Sequence, residues 1–159
     1  MLLHVSTLLA GQNNLNESEV RRRIVGTWKL ISAEDTLKDG TKRPFFGPRG
    51  QGFLMYSADG YMCAALMDPD RPKWKNLAKP TMEEKASAFD GFYSYCGRYE
   101  VDAGNNCLIH LPEVSSGLDY VGTRQLRPYR FEGSRMILSD RQQDDPEVAS
   151  WEIVWEKVR

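Results

Sequence analysis

Histidine is nearly missing from this chain, two residues in 159, and its three cysteines, Cys63, Cys96 and Cys107, fall at no metal-type or redox-type spacing. A zinc centre is excluded by ligand count. The odd number of cysteines fits buried free thiols better than a disulfide framework, and free thiols point to a reducing compartment, the cytoplasm. Charge of one sign is also lacking: 21 Lys and Arg oppose 22 Asp and Glu, so no net field gathers nucleic acid or acidic lipid. There is no glycine-rich phosphate loop and no nucleophile elbow, and Asp68-Pro69-Asp70 lacks the later acidic and glycine positions of a calcium loop. No cofactor is expected. No apolar run is long enough for a membrane span, and Met1 to Ala10, mildly apolar but without a basic n-region, reads as an arm or helix packed on the domain rather than a signal peptide.

What the chain has in quantity is hairpins. Two apolar runs, Gly52 to Ser57 and Tyr61 to Met67, flank Asp59-Gly60, where glycine supplies the positive φ that a tight turn demands. The device recurs at Asp102-Ala103-Gly104-Asn105-Asn106 and at Glu132-Gly133-Ser134. Eight strands are predicted: Thr27 to Asp35, Gly52 to Ser57, Tyr61 to Met67, Tyr93 to Val101, Cys107 to Val114, Thr123 to Phe131, Arg135 to Ser139 and Ser150 to Val158. A meander of eight strands that closes on itself removes its edges and encloses room for side chains or for one small ligand. Asn16 caps a short helix through Arg23, and Thr81 with Glu84 forms a capping-box pattern for a second. In that second helix Met82, Ala86, Phe89 and Tyr93 share one face, so it is expected to cover the barrel mouth. Arg43 to Gly50, with two prolines and two glycines, reads as a loop crossing one end. The expected organisation is an arm over 1–23 and one barrel domain over 24–159.

Gly26-Thr27-Trp28 looks like the G-x-W signature of lipocalins, whose tryptophan plugs the closed end of the barrel. The chain more closely resembles the lipocalin-like domain family of bacterial and fungal proteins. The resemblance runs through GTWKLISAED, the Tyr56-to-Met62 hairpin, Asp68 to Pro72, Ala88 to Phe92, Gly97 to Val101, Val121 to Arg127 and Val154-Trp155-Glu156, covering about Ile24 to Val158. It implies an all-β, eight-stranded antiparallel up-and-down barrel. Some such barrels bind small lipophilic molecules, and others act as cofactor-free cyclases or isomerases on natural-product intermediates, so the resemblance speaks to fold more than to function.

Seventeen aromatic residues, with Met55, Met62, Met67 and Met82, are enough to line a large apolar cavity, though such stripes more often fill a core. Trp28 reads as a structural plug, whereas Trp151 and Tyr95 are lining candidates. His110 is the one imidazole placed mid-sheet, where it either exchanges a proton or is satisfied by a neighbour. A bulge expected at Pro112 leaves open whether Glu113 faces inward instead. Arg98 and Arg127 are candidates to bind a carboxylate or steady an enolate, while Arg124 reads as a barrel-end salt bridge or an outward solvated charge. Tyr99 and Tyr129 are able to donate to a ligand carbonyl or to backbone, and Tyr120 sits in a crossing at the open end.

Two functions of different classes fit these residues. One is a binding module holding a small hydrophobic ligand. The other is a cofactor-free isomerase or cyclase acting on a polyketide or terpenoid intermediate, with His110 or Glu113 moving a proton and Arg127 or a tyrosine steadying the oxyanion. The catalytic version needs two or three polar groups converging in one cavity; the binder tolerates one. Neither needs nucleic acid or a membrane, and both are compatible with a homodimer.

Overall fold

A computed structural model describes residues 15–141 and 145–159; His4 and the arm proposed for Met1 to Ala10 lie outside them. Helix α1 (Glu17–Ile24) is followed by strands β1 (Gly26–Leu37), β2 (Lys42–Pro44), β3 (Gln51–Tyr56) and β4 (Tyr61–Met67). Helix α2 (Met82–Asp90) leads into β5 (Phe92–Asp102), β6 (Cys107–Ser115), β7 (Gln125–Glu132), β8 (Arg135–Arg141) and β9 (Val148–Lys157). All pairings between these strands are antiparallel, and β1 pairs with both β3 and β9, so eight strands close into a barrel. The ninth, β2, is a three-residue edge strand on the far half of β1. Its Pro44 is tolerated because an edge strand has one side with no donor to satisfy.

The turns follow from the residues that occupy them. Gly60 and Gly133 adopt φ of 95° and 60°, left-handed values that a side chain resists. Asn106 takes the same region at φ 49°, as asparagine does more readily than other residues.

One end of the barrel is shut by α1. Asn16 and Glu19 form a reciprocal capping box, and Val20 and Ile24, four apart on one face, are fully buried in the core. Trp28, on the inner face of β1, donates its indole N–H to the Ile24 carbonyl at 2.7 Å. Lys157 reaches across to the Arg23 carbonyl at 2.6 Å, so the helix is bonded to the barrel from both terminal strands. Trp28 is thus the plug its position suggested.

Three expectations are corrected. Cys63 and Cys96 are not free: they face each other in register on β4 and β5, with Cα atoms 4.1 Å apart, and form a disulfide on the outer face. The step from free thiols to a reducing compartment therefore loses its premise; only Cys107 is a free, buried thiol. Second, α2 has the predicted Thr81–Glu84 capping box but buries none of its residues, and Met82 and Phe89 stand exposed. It is held by polar hooks, Trp74 Nε1 to the Glu84 carbonyl and Arg71 to the Ala88 carbonyl, and does not cover the barrel interior. Third, Arg43 and Pro44 of the supposed loop belong to strand β2. Among the described residues no helix is long and apolar enough to cross a membrane.

Candidate functional site

Period-two alternation on the strands decides what faces inward. On β9 it turns Trp151, Ile153 and Trp155 to the interior; on β4, Ala64 and Leu66; on β5, Tyr93 and Tyr95; and on β7, Gln125 and Arg127. The inward small residue Ala64 leaves space that larger side chains would fill. The result is a cavity of about 540 Å³, opening at the end of the barrel opposite α1. Asp35, Phe45, Phe46 and Tyr120 also border it.

A polar line crosses the otherwise apolar wall. His110 is wholly buried, with Nε2 2.7 Å from the Tyr56 hydroxyl and Nδ1 2.7 Å from the Tyr95 hydroxyl. Burial, reinforced by the Arg127 charge, lowers its pKa well below the usual histidine value, so the ring is neutral. Burial likewise raises the Tyr56 and Tyr95 hydroxyls, which remain protonated. Arg127 donates to the Tyr120 hydroxyl at 2.7 Å and to the Leu126 carbonyl at 2.8 Å, and its guanidinium lies 5.5 Å from the centre of the Trp151 ring. At the rim Asp35 is held by Arg43 at 2.7 Å, so the one carboxylate bordering the cavity among the described residues is already paired.

The candidate residues are thereby divided. His110, Arg127, Tyr95, Tyr120 and Trp151 border the one cavity. Met55 is exposed on the outer face of β3, and Met67 lies in an outer depression where Sδ meets Arg71 at 3.5 Å. Glu113 and Arg98 are both exposed and pair with each other at 3.6 Å. The cause is the bulge expected near Pro112: β5 and β6 slip register between Cys96 and Gly97, leaving Glu113 as the extra residue. Arg124 pairs outside the barrel with Glu100 at 3.0 Å. Tyr99 is buried towards the closed end, where its hydroxyl donates to the Ser57 carbonyl, and Tyr129 is buried outside the cavity lining. Tyr56, Gln125 and Trp155 were not singled out from sequence as site residues. Alternation with Tyr95, Arg127 and Trp151 would have flagged the last two. Tyr56 needed the barrel closed.

A family model for the lipocalin-like domain matches residues 25–158, nearly the whole chain. The chain belongs to the lipocalin-like domain family. No curated protein and no solved structure gave a match. In this lipocalin-like barrel the closed end and the open cavity are the work of the same alternation, with Trp28 filling one and Ala64 leaving room in the other.

Proposed function

We propose that this lipocalin-like barrel binds one small, largely apolar molecule in its interior. The observation that carries the reading is the cavity itself. Its volume of about 540 Å³ is that of a small-molecule site, and it is bordered by Leu54, Leu66, Leu138, Ile153 and several aromatic rings, with a few polar groups to fix orientation. The experiment is titration with the neutral fluorophore N-phenyl-1-naphthylamine, which brightens on burial. Wild type is expected to take it up at one saturable site, and Ala64→Phe, which puts a ring into the space, to lose that uptake while remaining folded. Equal uptake by both would mean that the dye sits elsewhere.

A second reading is favoured by the convergence of Tyr95, His110 and Arg127 on one cavity. It is a cofactor-free isomerase or cyclase for a polyketide or terpenoid intermediate, in which the apolar wall holds the reactive conformer for a pericyclic closure that transfers no proton to the protein while Tyr95 and Arg127 polarise its carbonyl. Both ring nitrogens of His110 are bonded to tyrosines, so the proton-moving role expected of it is not carried forward. Its mark would be turnover lost in Arg127→Gln while binding of the neutral fluorophore persists. Loss of both together would count against it.

A further inference from the structure

The three-residue line Tyr56–His110–Tyr95 has a direction. A neutral imidazole donates from one ring nitrogen and accepts at the other, and a phenol does both. If Tyr95 donated to Nδ1, Nε2–H would donate to Tyr56, and the Tyr56 proton would be left buried, 2% exposed, with no other partner among the described residues. An orphaned buried donor costs about 1–3 kcal/mol. The reverse arrangement strands nothing: Tyr56 donates to Nε2, Nδ1–H donates to Tyr95, and the Tyr95 proton faces the cavity that Tyr95 borders. Tyr95 is therefore a donor to whatever enters.

The charge inventory of the cavity points the same way. Asp35 is paired with Arg43 at the rim, whereas Arg127 has no carboxylate partner among the described residues and is met by the neutral Tyr120, Gln125 and the Leu126 carbonyl. The Trp155 indole N–H and the Tyr93 hydroxyl, in residues that border the same cavity, are buried within its wall with no partner among the described residues. A cation without a carboxylate partner, beside the Tyr95 donor on one interior surface, calls for an oxygen anion.

We propose that the guest carries a carboxylate-type oxygen anion, held by the Arg127 guanidinium and the Tyr95 hydroxyl, with its apolar body against Trp151, Ile153 and Leu66. This deepens the binding reading above and rests on it. The test is displacement of N-phenyl-1-naphthylamine at pH 7 by 2-naphthoate and by its neutral isostere 2-naphthamide. A charge-assisted hydrogen bond lost to a neutral one predicts that wild type prefers the acid by about tenfold or more. Arg127→Gln should abolish that preference. Tyr95→Phe should weaken both competitors about fivefold relative to the fluorophore, which has no acceptor oxygen. Equal displacement by acid and amide in wild type overturns this inference and leaves the binding reading standing. Absence of fluorophore uptake in wild type overturns both, and unchanged competitor affinities in Tyr95→Phe overturn the part given to Tyr95.

Discussion

Lowering the pH should expose His110 as a stability element of known sign. Its folded pKa lies well below the ordinary value because burial, and then Arg127, oppose the charged ring, whereas in the unfolded chain it titrates near 6.5. The contribution is fully present above pH 6.5, where both states are neutral. It is lost as the pH falls, because only the unfolded chain gains the proton. Linkage gives a limiting slope of about 1.4 kcal/mol per pH unit. Integrated from pH 7.5 to pH 5.0 with a folded state that stays neutral, the loss is about 2 kcal/mol. Carboxylates also titrate in that window, so the assay is urea unfolding of wild type against His110→Gln, which keeps the amide chemistry of a donor and an acceptor between Tyr56 and Tyr95 but cannot titrate. The variant starts less stable at pH 7.5, and the gap between the two should close by about 2 kcal/mol at pH 5.0. Parallel curves would refute the reasoning, because they would mean that His110 binds its proton as easily folded as unfolded.

Three further outcomes are expected. Replacing Cys63 and Cys96 by alanine, which opens a loop of sequence separation 33, should lower unfolding free energy by about 3–4 kcal/mol, read from chemical denaturation; a midpoint indifferent to the replacement would deny the cross-link a role. In Gly97→Ala the new methyl would overlap the Leu111 carbonyl at the β5–β6 bulge, so a loss of about 3 kcal/mol or more, or no folded protein, should follow, and a wild-type melting temperature would contradict the placement. Trp28→Phe removes the donor to the Ile24 carbonyl and part of the plug; denaturation should show a loss of about 2–3 kcal/mol, and a loss under about 0.5 would argue that α1 is not held through this bond.

The strand plan was legible because it is written in local chemistry. Asp59-Gly60 and Glu132-Gly133 place turns by their need for positive φ, and the caps at Asn16 and Thr81 declare two helix starts. The interior of β9 could also be read, since Trp151, Ile153 and Trp155 alternate without interruption. Features set by register could not. The Cys63–Cys96 pair exists because β4 and β5 align those two positions, and nothing in a separation of 33 residues announces that alignment. Glu113 was ambiguous because the sequence signals a bulge near Pro112 without saying which residue is extruded. In α2 the spacing of Met82 and Phe89 is helical, yet the helix lies outside the barrel, held by Arg71 and Trp74 rather than by its apolar face. The Tyr56–His110–Tyr95 line joins β3, β6 and β5, and only the closed barrel brings them together.

Binding requires a hollow interior that admits a guest. Anomalous diffraction from crystals soaked in 1-iodonaphthalene measures this most directly, because iodine locates itself. The prediction is an iodine peak inside the barrel, within about 4 Å of side chains such as Leu66, Trp151 and Ile153. Peaks confined to the outer surface, with the interior filled by the protein's own side chains, would contradict it.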